Sequence, residues 1–161
     1  ILIASTAFWS GIKLQYGYPG ALLYFISMCC VGFLEEVIFR GLLFRAMEKD
    51  NLKTAMIVSS LTFGLGHIVN LFNGSGMDLA SSMTQIVLAV LLGFVLVLIF
   101  YYGKSLIPCI LFHSANNALK VFSADGSLDP QTEMVLNLVV IAIVLGGYSL
   151  YLVRAFSMKE K

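Results

Sequence analysis

The chain has 161 residues, 59% of them hydrophobic and 12% charged, with a formal net charge of +1. Soluble domains carry about 25% charged residues, so a mean hydropathy of +0.91 excludes a soluble globular domain and marks an integral membrane protein. The near-neutral balance excludes the basic footprint of a nucleic-acid binder.

A hydrocarbon core about 30 Å thick asks for about 20 mostly apolar residues per helix. Read with that ruler, residues 1–12 form a partial span, and residues 19–47, 54–72, 79–102, 105–122 and 133–156 form fuller ones. The expected fold is all-α: a polytopic transmembrane bundle of about five to six membrane helices. Residues 1–161 read as a single integral membrane domain, with the polar motifs in a core at 21–122. The chain opens on Ile1 inside an apolar run, as the tail of a longer segment would, and no basic stretch precedes it as in a signal peptide. Tyr16-Gly17-Tyr18-Pro19-Gly20, Asn73-Gly74-Ser75-Gly76 and the segment 124–130 are turn clusters between spans. Pro108 falls near the first turn of its span, where a missing N–H does little harm. Phe8, Trp9, Tyr16 and Tyr18 read as an interfacial aromatic belt. Cys29, Cys30 and Cys109 match no metal or disulfide spacing and read as small buried hydrophobes. Arg45, Lys49, Lys53, Lys104, Arg154, Lys159 and Lys161 fall on one side, against Lys13 and Lys120 on the other, which predicts a cytoplasmic C-terminus.

Glu35-Glu36-Val37-Ile38-Phe39-Arg40 breaks the second span. Each charge at a bilayer centre costs about 2.5–3.5 kcal/mol on insertion scales. Three facing lipid would rival the roughly 5–15 kcal/mol that holds a whole domain together. They must face protein or a wet cavity. His67 and His113, the only histidines, and the amide of Asn117 also lie within apolar spans. With a rise of about 1.5 Å per residue, Glu35, His67 and His113/Asn117 all fall roughly 13–20 Å from the basic loops. Three helices thus deliver polar groups to one slab. Glu36 and Arg40 stand i and i+4 with the acid first, the favourable pairing order; Glu35 is one residue out of register and is left as the catalytic candidate. His113 and Asn117 share a face by the same spacing, as do Phe63 and His67. Gly64 and Gly66 would let a neighbouring helix come close.

Glu35-Glu36-Val37-Ile38-Phe39-Arg40, Phe63-Gly64-Leu65-Gly66-His67 and His113-Ser114-Ala115-Asn116-Asn117 together resemble the motifs of the CAAX-protease and bacteriocin-processing (CPBP, or Abi) family of intramembrane endopeptidases, E-E-x-x-x-R, F-x-x-x-H and H-x-x-x-N. The three occur in order over about half the chain. The resemblance implies a protease acting on a hydrophobic, membrane-associated or lipid-anchored peptide, in a multi-pass protein of a bacterial cell membrane. It implies Glu35 as general base, His67 orienting water, and His113 with Asn117 stabilising the oxyanion, with Glu36, Arg40 and Phe63 in support. Glu35, His67 and His113 could also hold a Zn²⁺ with one open position; a metal-free glutamate mechanism fits the same residues. Two other functions suit the composition: a non-catalytic immunity or scaffold protein of the same fold, and a proton-coupled transporter relay. No internal repeat supports the latter.

Overall fold

A computed structural model of the chain describes residues 13–14, 16–72, 78–122 and 130–157. These form five helices, and none of the described residues lies in a strand. The partial span at 1–12, with Phe8 and Trp9, lies outside the described residues.

Helix α1, Tyr18–Met47, carries Pro19 in its first turn, where no N–H is needed. It changes winding along Val37–Phe44, which is π-helical, immediately after the acidic pair. Helix α2, Leu52–Leu65, starts on Asn51, whose side chain accepts from the Thr54 N–H at 2.9 Å. It continues as a 3₁₀ turn over Gly66–Leu71. Helix α3, Leu79–Gly103, starts on Asp78, which accepts from the Ser81 N–H at 2.7 Å. That N–H holds the Asp78 carboxyl below its ordinary range, so the cap is complete at neutral pH and weakens as acid protonates it. The end of α3 is a left-handed Lys104 at φ 53°, whose N–H bonds back to the Phe100 carbonyl at 2.8 Å. Its Nζ lies 4.1 Å from the Tyr101 ring centroid. Such a cation–π contact contributes about 0.5–1 kcal/mol, against about 1–2 kcal/mol for an L-residue in that conformation. Helix α4, Ile107–Ala118, has Pro108 in its first turn and runs into a 3₁₀ turn at Leu119–Phe122. Helix α5 is Pro130–Ser157.

Three helices, Tyr18–Met47, Leu52–Leu71 and Leu79–Gly103, are long and apolar enough to cross a membrane. Their outward faces stay apolar: Leu23, Leu42, Leu65 and Val87 are exposed, as are Ile107 and Leu111 of α4. An apolar surface of this kind needs lipid around it. The core is small and sits toward the basic loops, where Phe44 of α1, Ala55 of α2, Leu96 and Phe100 of α3 and Cys109 of α4 close on one another. Of the three cysteines only Cys109 is buried; Cys30 faces outward and Cys29 is half-buried, so burial holds for one of them.

Helix α1 packs on α4 and α2 on α3, with α5 against α3. Glycines set both crossings. A Cβ at Gly32 would lie 2.8 Å from the Ser114 backbone nitrogen. One at Gly64 would lie 2.9 Å from the Val90 nitrogen and 3.0 Å from the Ile86 oxygen. Gly66, expected to share that role, does not: its nearest neighbour would be the Phe39 ring edge at 3.9 Å. Gly32→Ala is therefore expected to lower stability. Overpacking costs about 1–3 kcal/mol and outweighs the roughly 1 kcal/mol gained in helix propensity. Gly66→Ala is expected to be tolerated. Thermal melting of the two variants in the same detergent checks the contrast.

Candidate active site

The polar residues of α1 sit where it turns from α- to π-helical winding, a distortion frequent at functional sites. Ser59 of α2, fully buried, donates to the Phe39 carbonyl inside the π segment at 2.9 Å and ties the two helices there. Glu36 and Arg40 are both 0% exposed. Arg40 Nη1 donates to Glu36 Oε1 at 2.9 Å, the pairing the spacing predicts. Arg40 Nη2 donates to the Gly93 carbonyl of α3 at 3.1 Å, and the guanidinium carbon lies 4.2 Å from the Phe63 ring centroid. Gly93 makes this approach workable, since a Cβ there would sit 3.1 Å from the Phe63 ring and 3.3 Å from Arg40 Nη2. A buried ion pair stands only with such added partners, because each charge has lost its water.

Helix α4 joins the pair from the other side. His113, 2% exposed, makes a 2.8 Å Nδ1 contact with Glu36 Oε1. Its Nε2 lies 3.0 Å from the Asn117 amide nitrogen and 3.5 Å from Glu35 Oε2. A carboxylate only accepts and an amide nitrogen only donates. The neutral ring therefore carries its proton on Nδ1, donates it to Glu36 and accepts at Nε2 from Asn117. The bond on one ring nitrogen fixes the state of the other. Glu35 is more open than Glu36, Arg40 and His113, its side chain 29% exposed. Its Oε2 atom is buried and has no hydrogen-bond partner among the described residues; the same is true of Glu36 Oε2 and Arg40 Nε.

Phe63 is the hub. Its ring meets those of His67, His113 and Phe39 edge-on at 5.4, 5.4 and 5.3 Å between centroids. His67 is linked to the array through that ring, and its Nδ1 bonds the Phe63 carbonyl at 3.1 Å. The structure thus brings Glu35, Glu36, Arg40, Phe63, His113 and Asn117 into one array, with His67 on its flank. Sequence reasoning missed the Glu36–His113 bond, Gly93 and Ser59. A glycine inside the oiliest helix was the one available signal for Gly93, since it weakens a helix unless something needs the space.

The trio Glu35, His67 and His113 does not fit a metal centre as arranged. His113 uses both ring nitrogens within the cluster, His67 Nδ1 is held by a carbonyl, and the Phe63 ring contacts both imidazoles. Among the described residues no group of three His, Cys, Asp or Glu side chains converges to hold a metal ion.

Residues 17–119, more than half of the chain, match the family described as type II CAAX prenyl endopeptidase Rce1-like. The chain belongs to that family. The matched span contains every residue of the array. At the family level the protein is an integral membrane protease of the CAAX endopeptidase kind. No curated protein and no solved structure matches the chain.

Proposed function

We propose that the chain is an intramembrane endopeptidase that hydrolyses a peptide bond in a hydrophobic or lipid-anchored peptide by a glutamate-activated water. The observation that supports this most is the buried Arg40–Glu36–His113–Asn117 chain, which ends beside the half-open carboxylate of Glu35. Such preorganisation is what acyl-transfer chemistry requires. Glu35 takes a proton from water as the water oxygen bonds to the carbonyl carbon. His67, its Nδ1 proton committed to Phe63, offers Nε2 to the second proton of that water. When His113 takes up a second proton from solvent as the substrate binds, its Nε2–H can no longer accept from Asn117. The imidazolium, anchored on Glu36, and the freed amide then both point N–H groups at the oxyanion. The C–N bond breaks as Glu35 returns its proton to the leaving amine; the new carboxylic acid and the His113 imidazolium then lose their protons to solvent, leaving a carboxylate and the resting imidazole. No step uses a metal. The basic loops supply the reading of a cytoplasmic C-terminus.

Asn117→Ala removes one oxyanion donor and is expected to lower kcat by about 10²–10³ with a smaller change in KM, measured by steady-state cleavage. The function itself is tested with the purified chain in lipid nanodiscs, given a prenylated CAAX peptide in H₂¹⁸O. Mass spectrometry is expected to show a released C-terminal fragment and one ¹⁸O in the new carboxylate. An intact peptide at high enzyme concentration would overturn the reading.

A further inference from the structure

The 3₁₀ turn after α2 places a second polar pair next to the array. Side chains three apart eclipse in such a turn, so Asn70 follows His67 on one face of Gly66–Leu71. Asn70 Nδ2 donates to Gln85 Oε1 of α3 at 2.9 Å. The two helices run antiparallel along their seam. Gly93 lies against Phe63, Val90 and Ile86 against Gly64, and Gln85 against Asn70. The amide pair is therefore the next rung outward from His67. Gln85 is half-buried, six residues inside the start of an apolar helix. Its carbonyl oxygen is occupied by Asn70, and its amide nitrogen has no partner among the described residues. Lipid tails accept no hydrogen bonds, so those N–H groups must meet water or a ligand.

A peptide presented for cleavage is extended at the scissile bond, and its main-chain carbonyls lose both helix and water partners in such a site. We propose that Gln85, its amide plane fixed by Asn70, donates a hydrogen bond to a substrate main-chain carbonyl adjoining the scissile bond. This rests on the peptidase reading above. It gives the site a way to select extended backbone independently of side-chain identity, because every residue offers the same carbonyl.

The test uses the full chain in nanodiscs and a fluorescently labelled, prenylated CAAX peptide, with a series in which single backbone amides become esters. An ester carbonyl is a weaker acceptor. Gln85→Leu is expected to raise KM about five- to tenfold, the worth of one hydrogen bond in a dry site, with kcat within about twofold. In the wild type, one ester position should weaken binding about fivefold and the others little; in Gln85→Leu that position should lose its effect. A Gln85→Leu KM equal to wild type, or an ester penalty equal in both proteins, would overturn the proposal. Should the variant not fold, a wild-type ester series with no position-specific penalty would overturn it too. Binding read by fluorescence anisotropy separates the two claims. Peptide bound in a Gln85-dependent way but not cleaved removes the hydrolysis and keeps the subsite. Cleavage indifferent to Gln85 does the reverse. A peptide neither bound nor cleaved removes both.

Discussion

Arg40→Met is expected to cost the fold about 3–5 kcal/mol, the penalty for removing one partner of a buried ion pair. The side chain is fully enclosed and divides its donors between Glu36 and the Gly93 carbonyl, with Phe63 beneath the guanidinium. Taking it away leaves the Glu36 carboxylate with His113 as its one remaining partner and empties the acceptor at Gly93. Against a net stability of roughly 5–15 kcal/mol, that loss removes about a fifth of the margin or more. Lys at the same position should fall between, because a compact ammonium cannot reproduce the planar fork that reaches two acceptors at once. Adding Glu36→Gln to Arg40→Met removes the stranded charge and should recover part of the loss. Thermal or denaturant unfolding in one detergent measures the series. Equal stability of Arg40→Met and the wild type would mean the pair is solvated and the site is not built as described.

Glu35→Gln is expected to lower cleavage by about 10²–10⁴, the usual contribution of a general base, with little change in melting temperature. Gln keeps the shape and cannot take a proton. Glu35 can be changed at small structural cost because its partner distance is long, 3.5 Å to His113, and its side chain is partly open. Glu36→Gln is expected to behave differently. It weakens both the Arg40 and the His113 bond, so it should lower stability and activity together. The same nanodisc cleavage assay, read beside melting curves, separates the two neighbours. Full activity in Glu35→Gln would assign the base elsewhere.

Much of this arrangement was legible in the residues because membrane physics makes polar groups conspicuous. Each charge inside an apolar run has to be explained, and helical spacing alone paired Glu36 with Arg40 and set Glu35 apart. The spans also follow from length and hydropathy: residues 19–47 and 79–102 were expected where α1 and α3 run over Tyr18–Met47 and Leu79–Gly103. The span expected at 105–122 is α-helical only over Ile107–Ala118, since the winding tightens to a 3₁₀ turn after Ala118. What stayed hidden depends on contacts between helices. The π-helical winding of Val37–Phe44 leaves no trace in a segment that is apolar apart from Arg40. The Glu36–His113 bond joins residues far apart in sequence. Of the glycines, Gly64 was recognised because it sits beside a motif histidine. Gly32 carries a comparably tight crossing and Gly93 a somewhat looser one, with no motif residue beside either to draw the eye. Gly66 drew the same expectation, yet a Cβ there would meet only the Phe39 ring, at an ordinary contact distance.

The account depends on His113 joining the acidic pair of α1 to the amide of α4 in one hydrogen-bonded array. ¹⁵N NMR of the full chain in bilayers, labelled at its two histidines, reads that directly. The structure predicts a His113 Nδ1 that is protonated and strongly hydrogen-bonded, whose signal moves on Glu36→Gln, and an Nε2 whose signal moves on Asn117→Ala. A His113 protonated on Nε2 alone, with signals indifferent to both substitutions, would contradict it.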